Sequence, residues 1–307
     1  MLATTLATNI GYEWLMIWNM GHELDVYVGD ELRFSLRRDE RRLFKGDVAY
    51  QYDFIDLNGD DAGKELKICY VNYRAENSNL GMIYAGDKAA LLLKAIRGDQ
   101  MALFLAIAML ISGIVVAVIA YIKCRMYPNM RSVLHLGMGV SVASAWFLFN
   151  SPAAQFIFPN IEIARDCAFF FASMISLPFL MYLKSSIGGR YTKVLTGFEI
   201  AAIAGFALLI ICYFILGRDI NIAFIPTLVI AVAGLGTALA IILGDFQSRR
   251  VREYFLAALG TIIFVVFALI YVLMFVLFPF KGDSGILLML GIVCMFVLGL
   301  ANALNHK

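Results

Sequence analysis

Charge is what this chain has least of: charged residues make up 16% of its 307 positions and hydrophobic residues 61%, whereas a soluble globular domain carries about a quarter charged. Such a chain has too little polar surface to cover itself, so most of it is expected to face lipid. The scarcity is uneven. Residues 1–100 hold 12 of the 25 Lys and Arg and 16 of the 23 Asp and Glu, which leaves the remaining two thirds nearly uncharged. A net charge of +2, with no dense Lys/Arg stripe interleaved with aromatics, argues against nucleic acid as a partner. The one dense basic run of the polar part, Arg37 to Lys45, also contains Asp39 and Glu40 and reads as a solvated turn.

Reactive and metal-ligating patterns are also missing. The five cysteines, Cys69, Cys124, Cys167, Cys212 and Cys294, lie scattered without metal-ligand spacing, so neither a zinc site nor a disulfide framework is expected. Cys167 and Cys212 fall near the same membrane face. A bridge between them is one reading, and buried free thiols are the favoured one. No HExxH, Walker loop or nucleophile elbow occurs in the hydrophobic runs, so no metal, cofactor or catalytic residue is expected, and the chain is not expected to be an enzyme. The last hydrophobic run contains no lysine, which excludes a retinal Schiff base there. Met1 to Trp18 makes a poor signal peptide, with Glu13 and no basic n-region, and the expectation is that the true start of the chain is missing.

What the chain does have is seven hydrophobic runs of the length needed to cross about 30 Å of hydrocarbon: Met101 to Ile122, Ser132 to Phe149, Cys167 to Leu183, Val194 to Leu216, Phe224 to Leu243, Tyr254 to Phe278, and Ile286 to Leu304. The third is the shortest and carries Pro178, which neighbouring helices can accommodate. The connections after runs one, three and five contain nine Lys and Arg, and those after two, four and six contain three, namely Arg165, Arg218 and Lys281. The positive-inside rule then predicts that the polar part, residues 1–98, lies outside the plasma membrane and the C-terminus in the cytoplasm.

Within residues 1–98, period-two runs recur at Leu24 to Val28, Leu32 to Ser35, Val48 to Ile55, Leu66 to Tyr73 and Met82 to Ala85. Turn residues at Gly29-Asp30, Asn58-Gly59 and Asn77 to Asn79 separate them, and Asn58-Gly59 predicts a hairpin. The prediction is an antiparallel β-sandwich with a short helix near Asp87 to Arg97 leading into a seven-helix bundle over residues 99–307. Asp56, Asn58, Asp60 and Asp61 suggest a calcium loop. However, Asp61 stands where that loop needs glycine and Lys67 where it needs glutamate, so a plain turn is expected. Trp14, Trp18, Tyr27 and Phe34 are candidates to stack on a small, carbohydrate-like ligand; the competing reading puts them in the sandwich core.

Ionisable groups inside a membrane are functional candidates by default. Here they are Glu199, about one and a half turns into the fourth run, and His135, equally shallow in the second. A hydrogen bond between them would couple two helices. Snorkelling or pairing at the interface is the structural alternative. A transporter or channel would need midplane polar groups, broken helices or an inverted repeat, and seven runs do not divide into equal halves.

Two stretches carry a family resemblance. One is HELDVYVGDELRFSL at His22 to Leu36 with GKELKICYVNYRAENSNLGMIYAGDKAAL at Gly63 to Leu91. The other is SAWFLFNSPAAQFIFPN at Ser144 to Asn160, followed by LPFLMYL at Leu177 to Leu183. The chain resembles the bacterial seven-transmembrane receptors with diverse intracellular signalling modules, as found in clostridial diguanylate cyclases and histidine kinases. That resemblance implies a jelly-roll-like ligand-sensing domain outside, a seven-helix transmitter, a homodimer, and a cytoplasmic effector of cyclase or kinase type. The sequence departs from the family in stopping at Asn305-His306-Lys307 directly after the seventh run. The expectation is an effector recruited in trans, or one carried in cis by a part of the protein beyond this chain.

Overall fold

The computed structural model describes residues 1–7, 14–20, 22–37, 50–71, 81–98, 100–127, 130–158, 160–187, 189–217, 220–248, 250–277 and 285–305. The basic run after Arg37, the turn at Asn77 to Asn79, and Arg218, Arg249 and Lys281 lie outside them.

Among the described residues, seven strands form the N-terminal part: β1 (Leu2–Thr5), β2 (Trp14–Met20), β3 (Glu23–Val28), β4 (Glu31–Leu36), β5 (Tyr50–Asp56), β6 (Glu65–Val71) and β7 (Ile83–Gly86). They make two antiparallel sheets, ordered β1-β6-β3-β4 and β5-β2-β7. Alternation along each strand sends every second side chain inward. Leu15, Ile17 and Ile55 of one sheet therefore meet Leu24, Val26, Val28, Leu66 and Ile68 of the other in one buried apolar core. This is a small sandwich. Its first two strands go unpredicted, because residues 1–18 read as a failed leader, yet β2 is the central strand of its sheet.

Gly29, at φ +62°, makes the β3–β4 turn, a backbone region that glycine enters without a Cβ penalty. The expected hairpin at Asn58-Gly59 is not one. It is a single 3-10 turn, Gly59–Asp61, carrying the chain from β5 in one sheet to β6 in the other. Asp61 closes it by accepting from the Asn58 N–H at 2.8 Å, Lys64 Nζ at 2.9 Å and Arg33 at 3.0 Å. These bonds spend the Asp61 carboxylate inside the turn. Burial would raise its pKa, but the Asn58 amide, Lys64 and Arg33 outweigh burial and hold it below the usual carboxylate range.

Helix α1 (Lys88–Arg97) follows, capped by the Asp87 carboxylate, which accepts from the Ala89 and Ala90 amides. Then come α2 (Gln100–Lys123), α3 (Met130–Asn150), α4 (Ile161–Ile187), α5 (Thr192–Ile210, continued by a π-helical turn to Ile215), α6 (Ile220–Gln247), α7 (Phe255–Leu277) and α8 (Gly285–Asn305). Six of these are long and apolar enough to cross a membrane, and α7 adds a shorter apolar stretch, Phe255–Tyr271. The protein is embedded in a membrane. The third hydrophobic run, expected to be the shortest, is the 27-residue α4. Its first turns carry Glu162, Arg165 and Asp166, which read as loop in sequence, but a helix tolerates them once Asp166 is buried against a partner.

The first compact unit contains residues 1–98 together with Pro152–Arg165, and the second contains the rest. In the second unit α2 and α3 approach through glycines. A Cβ on Gly137 would lie 2.8 Å from Ala117 N and from Gly113 O, backbone atoms that cannot rotate aside. Gly137→Val is therefore expected to part these helices at a cost of roughly 1–3 kcal/mol. A lowered Tm of the full chain in nanodiscs is the readout, and an unchanged Tm would show that the seam yields.

Candidate functional site

On β2, Trp14, Met16 and Trp18 share the face turned away from the core. Leu91 and Ala95 of α1 pack there against Met16, with Trp14, Tyr52, Phe54 and Tyr84 partly buried around them. Lys88 Nζ sits 3.9 Å from the centroid of Trp14 and Lys94 Nζ 4.2 Å from that of Tyr84, which pins α1 to the sheet by cation–π attraction as well as by apolar area. Among the described residues, strand β5 lies at the edge of its sheet, where the outer backbone groups can take a further partner. That partner is the connection between α3 and α4, whose Pro152–Phe156 segment forms a 3-10 turn. The Tyr52 N–H donates to Gln155 Oε1 at 2.9 Å, and Gln155 Nε2 donates to the Tyr52 carbonyl at 3.3 Å, so one side-chain amide does what a neighbouring strand would do. Phe156 meets Phe54 edge-on at 6.4 Å. The sheet thus holds two connections by one face and one edge: the helix that runs into α2, and the turn that runs into α4.

At the far end of α4, residues 182, 184 and 185 fan out because each residue turns about 100° around a helix. Tyr182, 2% exposed, faces α8, where a Cβ on Gly299 would lie 2.8 Å from its hydroxyl. Lys184 pairs with Glu199 of α5 and donates to Thr196 Oγ1 at 3.2 Å. Ser185 Oγ lies 3.2 Å from His135 Nδ1 of α3. Glu199 and His135 are thus both at this junction, joined through neighbouring residues of α4 in place of the direct hydrogen bond suggested by sequence. Also buried, Asp245 of α6 accepts from Tyr254 at 2.7 Å and Tyr191 at 3.4 Å, tying its helix to the α6–α7 and α4–α5 connections. Near the start of α4, buried Asp166 accepts from the Tyr213 hydroxyl at 2.6 Å, where α5 turns π-helical. Phe170 packs on Phe206, Tyr213 and Phe214 beside it. Single π turns often mark functional positions.

The four aromatic ligand candidates do not converge. Trp14 and Trp18 lie on the α1 face of one sheet, Phe34 packs into the core, and Tyr27 alternates with inward Val26 and Val28 on the outer side of the other sheet. All five cysteines are free, Cys167 and Cys212 included. No group of three metal-ligating side chains occurs among the described residues. Sequence reading missed Gln155, Asp166, Lys184 and Asp245, since each stands at the margin of a hydrophobic run and passes for loop. Compared with known proteins, the chain matches no family model, no curated protein and no solved structure.

Proposed function

We propose that this membrane protein is a receptor in which the β-sandwich senses a small extracytoplasmic ligand and α4 carries the result to the opposite end of the bundle. The observation that supports this most is the docking of residues 152–156 on β5, beside α1 on the same sheet. A change in the sandwich then reaches α2 and α4 through continuous chain. At the far end of α4 the contacts to α3, α5 and α8 divide the movement among three helices. The distribution of Lys and Arg supports a sandwich outside and a C-terminus inside, with α7 as the seventh crossing. Output comes from a cytoplasmic effector of cyclase or kinase type acting on the α8 end; the chain itself supplies no catalytic step. A ligand shifts such a two-state bundle only by its differential affinity for the states.

The test uses the full chain in nanodiscs with spin labels at Val194→Cys and Leu304→Cys, both exposed positions, after replacing the native cysteines. In a panel of mono- and disaccharides, the sugar that raises Tm is expected to change the 194–304 distance distribution as well. Stabilisation with an unchanged distribution, or sugar flux into proteoliposomes, would contradict the receptor and favour a transporter.

A further inference from the structure

Strand β5 presents two different chemistries to its two sides. Tyr52 and Phe54 hold the 152–156 turn. Asp53 between them points into the sandwich, where it is 3% exposed. Its carboxylate accepts from Asn19 Nδ2 on β2 at 2.9 Å and from Gln51 Nε2 on its own strand at 2.6 Å. Asn19 is fixed in turn, donating to the His22 carbonyl at 2.9 Å and accepting from the His22 N–H at 2.8 Å. The other titratable or charged groups at this end, among the described residues, include His22 and Tyr70 of β6, whose rings lie 5.7 Å apart, and Glu23 and Asp25 of β3, which both pair with Arg37. Among the described residues Asp53 forms no ion pair: its partners there are neutral amides, which bond a carboxylate without neutralising it. A buried anion with no counter-charge is costly, and water or a proton relieves it.

We propose that β5 is a proton-responsive latch: protonation of Asp53 inside the sandwich tightens the strand that holds Gln155, so that extracytoplasmic acidity is one input to the loop leading into α4. The inference rests on the receptor reading above and adds the proton as a stimulus. On protonation the Asp53 hydroxyl needs an acceptor. Gln51 supplies one by turning its amide so that Oε1 faces Asp53, while Asn19 stays where His22 holds it. Burial pushes the Asp53 pKa up from 3.8 to about 6, against the lowering effect of the two amides. The sign follows. A carboxyl whose folded-state pKa lies above its unfolded value gains stability as pH falls through about 6, the gain being complete near 3.8, and it is destabilising above 6. Opening of β5 that exposes Asp53 to water is therefore suppressed about tenfold at pH 5 relative to pH 7.5.

Hydrogen exchange of the full chain in nanodiscs, corrected for intrinsic rates, tests this at the Tyr52 amide. Wild type is expected to gain about tenfold protection between pH 7.5 and 5, with a midpoint near 6. Asp53→Asn should remove the pH response, and His22→Gln should keep it. Gln155→Ala should lose Tyr52 protection at every pH. Protection independent of pH in wild type, or a response abolished by His22→Gln in place of Asp53→Asn, overturns the latch. Failure of Asp53→Asn to fold leaves the wild-type titration and His22→Gln to decide. A pH-independent wild type whose protection still collapses with Gln155→Ala would sink the proton input and leave loop docking intact.

Discussion

Asp61→Ala lowers the stability of the sandwich by roughly 3 kcal/mol, the largest effect expected of any single change in the polar part. Asp61 is fully covered and satisfies the Asn58 amide, Lys64 and Arg33 at once. Removing the carboxylate orphans the amide of the sheet-to-sheet crossover and leaves Arg33, with a side chain only 13% exposed, facing Glu31 alone. Lys64 is 42% exposed and simply returns to water, so its bond adds little. Acid should act the same way and late. The Asp61 pKa is held below its usual value, so its contribution is full at neutral pH and above the unfolded pKa, and it is lost only as pH falls through the depressed folded value. Intrinsic fluorescence of the chain during chemical denaturation reads the sandwich. A loss under 1 kcal/mol would mean that the crossover is held by its backbone alone. Calcium should protect neither wild type nor variant, since the segment lacks the glutamate that a calcium loop needs, Lys67 standing in its place.

Lys184→Ala is expected to destabilise the bundle by roughly 2–4 kcal/mol, and Glu199→Ala by clearly less. The asymmetry comes from geometry. The Glu199 side chain is short and only 10% exposed, so it stays largely desolvated once its partner is gone, whereas that of Lys184 is 27% exposed and its long stem lets the ammonium move toward water. The double variant should recover most of the loss, because neither charge then remains unpaired. Tm in nanodiscs across the four-member cycle provides the check. Equal effects of the two single variants, or no recovery in the double, would show that the pair does not couple α4 to α5.

The sandwich and the helical hydrophobic runs were legible because their signals are local: alternation in Leu24 to Val28 or Leu32 to Ser35, and uninterrupted apolar length in the spans. β2 was hidden for a physical reason. A central strand with a core on one face and α1 on the other is apolar on both, so WLMIWNM shows no alternation. The start of α4 was hidden because Glu162, Arg165 and Asp166 break its hydropathy, and only a partner distant in sequence, Tyr213, shows that Asp166 is inside. The Asn58-Gly59 turn was correctly located but wrongly connected, since a turn dipeptide does not specify which sheet receives the next strand. Of the junction at the far end of α4, Glu199 and His135 stood out by charge within apolar runs. Lys184 and Ser185, which join them, looked like the beginning of a loop.

The central claim is that docking of residues 152–156 on β5 sets the arrangement of the helices at the far end of α4. The direct measurement is the 194–304 distance distribution in nanodiscs, compared between the unaltered turn and Gln155→Ala/Phe156→Ala, at fixed pH and without added ligand. Releasing the turn is predicted to introduce a second distance population while the helices remain folded by circular dichroism. An identical distribution in a variant whose Tyr52 amide has lost its protection would contradict transmission through α4.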